Sequence, residues 1–295
     1  VSWADVLPPH IPWFRPTRGC VELPAVGLRL AARPGTGPRL GGAVLAGVLD
    51  GPFTFLDLSD LTDRQVQQEV RPAFDRVEDP SSITVATTMP LRDGAPPSRW
   101  RHRLATFGAR LGRHGPDVLL LDDRDGAPGP RTAAGSASVL AEELARARDE
   151  GAVRLVALSG AAAALEACLE RGLPALVLDH DDRLARTTRT GPVRGNATAG
   201  LEAVRVPLRR SRASGDLGSA ALPSARLRAV CAEFGIDPRT ALLQSHLRDL
   251  ATTTTVLRVA DEKAVRAVAR SAGTWVPEEF WVELASVGAP PGPRR

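Results

Sequence analysis

The sequence predicts an α/β protein built as a single (β/α)8 TIM barrel. Three observations lead there. Eight short runs of apolar or β-branched residues, at 26–30, 53–56, 83–87, 118–121, 154–158, 175–178, 203–206 and 254–257, alternate with stretches of helical periodicity. Eight strand–helix units within 295 residues suit one barrel of ordinary size. An open doubly wound sheet would usually lead from an early strand through a glycine-rich turn into a helix. Here the first strand runs into Ala31-Ala32-Arg33-Pro34-Gly35-Thr36-Gly37, which lacks the GxGxxG spacing.

Taken in order, residues 1–22 form an arm rich in Trp and Pro, with Trp3, Trp13 and Phe14. It is expected to cover barrel or dimer surface, and the barrel occupies residues 23–295. Between the third and fourth strands, Trp100, Leu104, Phe107 and Leu111 recur on one helical face. The next helix presents Val139, Leu140, Leu144 and Ala147, with Ser136 or Ser138 as its expected N-cap. Leu227, Val230, Cys231 and Phe234 make a further face, ended by Gly235. Cys168 and Cys231 lie in apolar helical patterns and read as core, as does His246, four residues after Leu242. Ala264, Val265 and Val268 begin the last unit after Asp261. Long Gly/Pro/Ser-rich connections at 90–98, 124–136 and 209–224 follow strand ends. In a barrel those loops lie on the C-terminal face, where active sites are built.

Composition narrows the chemistry. The chain has no tyrosine, and among its 38 Lys and Arg residues only Lys263 is lysine. No phenol can act as a general acid, and one amine at most can form a Schiff base. A GC-rich genome would produce the same bias. The net charge of +4 comes from scattered arginines, without the basic patch and aromatic partners of a nucleic-acid face. No apolar run reaches the roughly 18 residues of a membrane span, and no signal-peptide pattern opens the chain, so a cytoplasmic location is expected. The three cysteines are far apart, without CxxC spacing. Asp179, His180, Asp181 and Asp182 are an acidic run, but neighbouring strand residues alternate faces, and no metal site is expected.

Several segments carry a family resemblance. Phe55-Leu56-Asp57-Leu58-Ser59-Asp60 resembles the FFDTAD signature of the aldo/keto reductase superfamily. Asp117-Val118-Leu119-Leu120-Leu121-Asp122-Asp123 is similar to its DLLLLHD strand, and the segment from Val153 to Gly160 to its VRAIGVSN. Cys231-Ala232-Glu233-Phe234-Gly235 followed by Ala241-Leu242-Leu243 resembles the CAEHG and AAL helix pair, and Glu278-Glu279-Phe280-Trp281 the closing PEELW helix. The order and spacing of these pieces, more than any one of them, carry the likeness, from about residue 23 to about residue 287.

The resemblance implies NADPH-dependent hydride transfer with an Asp, Tyr, Lys, His tetrad on the C-terminal face. Carried over, the aspartate falls on Asp57, the tyrosine on Thr62, the lysine on Thr88 and the histidine on Asp122. One of the four is kept. The Ser-Asn pair that holds the nicotinamide amide reads Ser159-Gly160, and its glutamine partner falls near Leu178. The phosphate-binding segment falls on Leu257, Val259 and Ala267, with Arg258 one residue away. No cofactor is therefore expected, NADPH included.

Carbonyl reduction needs a donor to protonate the developing alkoxide, and a threonine hydroxyl is a far weaker acid than a phenol. We therefore expect non-redox acid/base chemistry on a small molecule, such as dehydration, isomerisation or cyclisation, in the setting of bacterial specialised metabolism. Asp57, Asp122, Thr62 and Thr88 are the candidate catalytic residues, with Asp57 facing Asp122 in place of its lost lysine. Asp60, Asp123, His180, Arg209, Arg210 and Arg258 are candidates for substrate binding, the arginines toward an anionic group. A structural reading stands beside this one: Asp57 caps backbone amides, Asp122 is a solvated loop residue, and His180 is an exposed ion-pair former in an acidic run. Two other functions stay open, a non-catalytic binding protein and a residual NADPH reductase with a rearranged donor.

Overall fold

The computed structural model describes residues 14–16, 22–31, 42–49, 51–90, 97–122, 134–158, 162–173, 175–179, 203–205, 225–248 and 252–288. A short antiparallel hairpin pairs β1 (Phe14–Pro16) with β2 (Glu22–Pro24). Eight parallel strands follow: β3 (Val26–Leu30), β4 (Phe55–Asp57), β5 (Thr84–Pro90), β6 (Val118–Asp122), β7 (Leu155–Leu158), β8 (Ala175–Asp179), β9 (Ala203–Arg205) and β10 (Thr252–Val259). They pair in chain order. β10 bonds to both β9 and β3, so the α/β fold is a closed parallel barrel. Each predicted run overlaps a strand. The second starts later than expected, because Phe53 and Thr54 lead into β4 without belonging to it.

The near-continuous apolar runs reflect burial on both faces of a parallel sheet. Alternate residues separate the two sides. Val26, Leu28 and Leu30 of β3 face outward and pack with Leu56, Val85 and the helical residues Val44, Val48, Val265 and Val268. Leu119, Leu121 and Val156 do the same against Leu104, Ala141, Leu144 and Cys168. Phe55, Ala86, Val118, Leu120, Leu155, Ala157, Leu176 and Val256 fill the inside. Leu23 joins this inner cluster from the hairpin, so the hairpin closes the N-terminal end. Gly27 is needed here, since a Cβ at that position would overlap the Phe55 ring.

The helices follow their sequence signals with two corrections. The helix Ala134–Asp149 buries Ala137, Ala141, Leu144 and Ala147, whereas Val139 is 53% exposed. Val139 stands two residues from Ala137 and so falls on the opposite side of the helix. Ser136 and Ser138 lie inside this helix and not at its N-cap; the Ser138 hydroxyl accepts from Arg171 Nη2 at 2.9 Å. The Asp261 carboxylate caps the helix Glu262–Gly273 by accepting from the Ala264 amide at 2.8 Å. Gly235, at φ 65°, follows the helix Ala225–Glu233 in the left-handed conformation that glycine adopts freely. Cys168, Cys231 and His246 are buried, as expected of core residues.

Candidate functional site

The C-terminal end of the inner face changes from apolar to polar within one layer of residues. Two residues before that layer, Gly27 on β3 and Val256 on β10 lie against the apolar plug. Because strand side chains alternate, Arg29 and Arg258 are the next inward positions, and they are direct partners in the parallel register. Arg29 is in turn the register partner of Asp57, and Asp57 of Ala86. Thr88 is the next inward position along β5.

Asp57 is fully buried, and its carboxylate is completely engaged on both oxygens. Oδ2 accepts from Arg29 Nε at 2.5 Å, an ion pair in which the Arg29 side chain is only 14% exposed. Oδ1 accepts from the Ser59 amide at 2.9 Å and from the Ser59 hydroxyl. Ser59 Oγ and Thr88 Oγ1 are 2.7 Å apart, and Arg29 Nη2 reaches Thr88 Oγ1 at 3.4 Å. Each hydroxyl has one proton. With Ser59 donating to Asp57, Thr88 donates to Ser59 and accepts from Arg29. Arg29, Thr88, Ser59 and Asp57 thus close a ring of hydrogen bonds anchored by one ion pair.

This corrects the expected geometry. Asp57 is not left without a cation, because Arg29 from the neighbouring strand pairs with its carboxylate. Arg29 and Ser59 had no place in the site read from the sequence. The signal for Arg29 was present in the alternation of Val26-Gly27-Leu28-Arg29-Leu30: a charge on the inner face of a closed barrel has to be paired. The expected capping role of Asp57 is present too, through the Ser59 amide.

Thr62 goes elsewhere. It is exposed and caps the helical turn that starts at Asp63, with Gln65 completing a capping box. The Gln65 amide donates to Thr62 Oγ1 at 3.3 Å, and Gln65 Oε1 accepts from the Thr62 amide at 2.8 Å and from its hydroxyl at 3.0 Å. The hydroxyl at the expected proton-donor position is therefore committed to a helix start. Asp60 and Arg258 form a second ion pair at the mouth, with side chains 29% and 24% exposed. Asp122 ends β6 opposite Pro90 of β5. Asp123, His180, Arg209 and Arg210 lie outside the described residues, as do Ser159 and Gly160. Among the described residues no three metal-ligating side chains converge, and no helix is long and apolar enough to cross a membrane.

No family model matches the sequence, and no curated protein matches it. The fold does have a solved counterpart. The chain is similar to the crystal structure of MGS-M4, an aldo-keto reductase enzyme from a Medee basin deep-sea metagenome library, with a TM-score of 0.64. The likeness covers 93% of this chain and 94% of that one at 15% identity, and what it establishes is the fold.

Proposed function

We propose that this chain is an aldo/keto reductase-like barrel that has lost NADPH-dependent carbonyl reduction and performs non-redox acid/base chemistry on a small molecule. One observation carries the reading: the residue at the proton-donor position, Thr62, uses its hydroxyl in a capping box. Hydride delivery to a carbonyl stalls without a positioned acid. The two other replaced positions add to this, Thr88 being a ring hydroxyl and Asp122 a carboxylate where the resemblance places lysine and histidine.

The ring suits proton movement without a cofactor. Asp57 is a fully buried carboxylate. A substrate proton passed to Ser59 Oγ is balanced by the proton that Ser59 passes to Asp57 Oδ1. The reverse transfer returns it to a leaving group or to another carbon, which is the net change of a dehydration or an isomerisation. A second reading, a non-catalytic binding protein, is favoured by the closure of the ring, which leaves Asp57 no uncommitted oxygen.

Titration of the full chain with NADPH, followed by nucleotide fluorescence, tests the shared premise of both readings. The expected result is no saturable response up to about millimolar nucleotide, a free energy of only about 4 kcal/mol. Micromolar binding would remove the premise and restore the reductase.

A further inference from the structure

Two arginines stand side by side at the mouth of the barrel. Arg29 and Arg258 are register partners on adjacent parallel strands, so their backbones are about 4.8 Å apart. Both point inward above the Phe55 and Val256 plug, a floor of low polarity that strengthens electrostatic interactions above it. Like charges in register repel, and a carboxylate stands against each guanidinium, Asp57 against Arg29 and Asp60 against Arg258.

The two pairs differ in what they leave over. Arg258 gives its Nε to Asp60, its side chain is 24% exposed, and its two terminal amino groups have no acceptor among the described residues. A guanidinium carries five N–H donors in a planar fork. Held through Nε by a carboxylate on one side, it presents its outer edge in a fixed direction. That edge matches a pair of oxygens on one acidic group.

From this we propose that Arg258, with the charge of Arg29 beside it, forms a small oxyanion subsite at the mouth of the barrel, and that the substrate carries a carboxylate or phosphate that docks there. The proposal rests on the small-molecule reading above. It places the acidic group of the substrate two strands from Asp57 and three from Thr88, across Arg29 from the hydrogen-bonded ring. Asp60 holds Arg258 in position and also competes with the ligand for its charge.

The test uses the full chain with inorganic phosphate and with malonate as probes, by calorimetry at constant ionic strength. At least one probe is expected to bind saturably, with a dissociation constant of order 1 mM; which one binds tells a phosphate from a carboxylate substrate. Arg258→Gln should weaken that binding about ten- to a hundredfold, the range for losing a charge-assisted hydrogen bond. Asp60→Asn should tighten it, because the competing carboxylate is gone. That sign separates a ligand site from a structural ion pair and keeps the test decisive if Arg258→Gln fails to fold. Arg146→Gln, on the outer helix Ala134–Asp149, should change nothing. Absence of saturable binding by both probes, equal binding in Arg258→Gln, or weaker binding in Asp60→Asn would each overturn the subsite. An NADPH titration with and without phosphate keeps the two proposals apart. Nucleotide that binds and is displaced by phosphate overturns both. Nucleotide that binds without displacement overturns the functional reading alone. If neither ligand binds, the subsite falls and the functional reading stands.

Discussion

Asp57 has a different environment from the one its place in the chain suggests. Asp57 has a cation beside it, supplied by Arg29 at 2.5 Å from the adjacent strand. Removing one partner of a buried ion pair costs up to about 3–5 kcal/mol, because the remaining charge is stranded. Arg29→Met should therefore destabilise the chain by an amount in that range, read as a shift of the urea midpoint. Adding Asp57→Asn should recover part of the loss, since a neutral amide needs no counter-charge and still accepts from Ser59. A double variant as unstable as the sum of the single changes would mean that the pair is not coupled. Asp57 was legible because a local motif surrounds it. Arg29 was not, because its partner lies 28 residues away and only the barrel register brings them together.

The elements were legible where local physics decides them. Val26-Gly27-Leu28 alternates as a strand must, and Asp261 caps the helix that follows it. The sequence pattern was weaker where an element's outcome depends on a neighbour. Val139 belongs to an apolar run, but the side of its helix that meets the barrel is set by Ala137 and Ala141. Gly27 is a similar case, since its small size matters only because Phe55 comes across from β4. Gly27→Ala should cost about 1–3 kcal/mol through overpacking. Combining it with Phe55→Leu should cost less than the two changes added, because the smaller side chain leaves room for the new methyl. Thermal unfolding of the four proteins in this cycle measures the coupling, and strict additivity would mean that the two residues do not compete for space.

For the whole molecule, burial fixes how the two described cysteines behave. Desolvation pushes the Cys168 and Cys231 thiols from 9.0 up to about 11. A raised value in the folded state favours the neutral thiol, so this contribution is complete below about pH 9 and is lost as the pH rises through about 11. The urea midpoint of the unmodified chain should fall across that window by more than the midpoint of Cys168→Ala/Cys231→Ala. Equal falls would show that the thiols are not responsible. At this scale the amino-acid order by itself determined the eight alternating units and the core, because hydrophobic periodicity is a local property that survives without a template. Only the tertiary structure decided which side chains surround Asp57. Closing the sheet brings Arg29, Asp57, Ser59 and Thr88 into one ring and sets Arg258 beside Arg29, and contacts between strands far apart in the chain depend on register, which no single segment encodes.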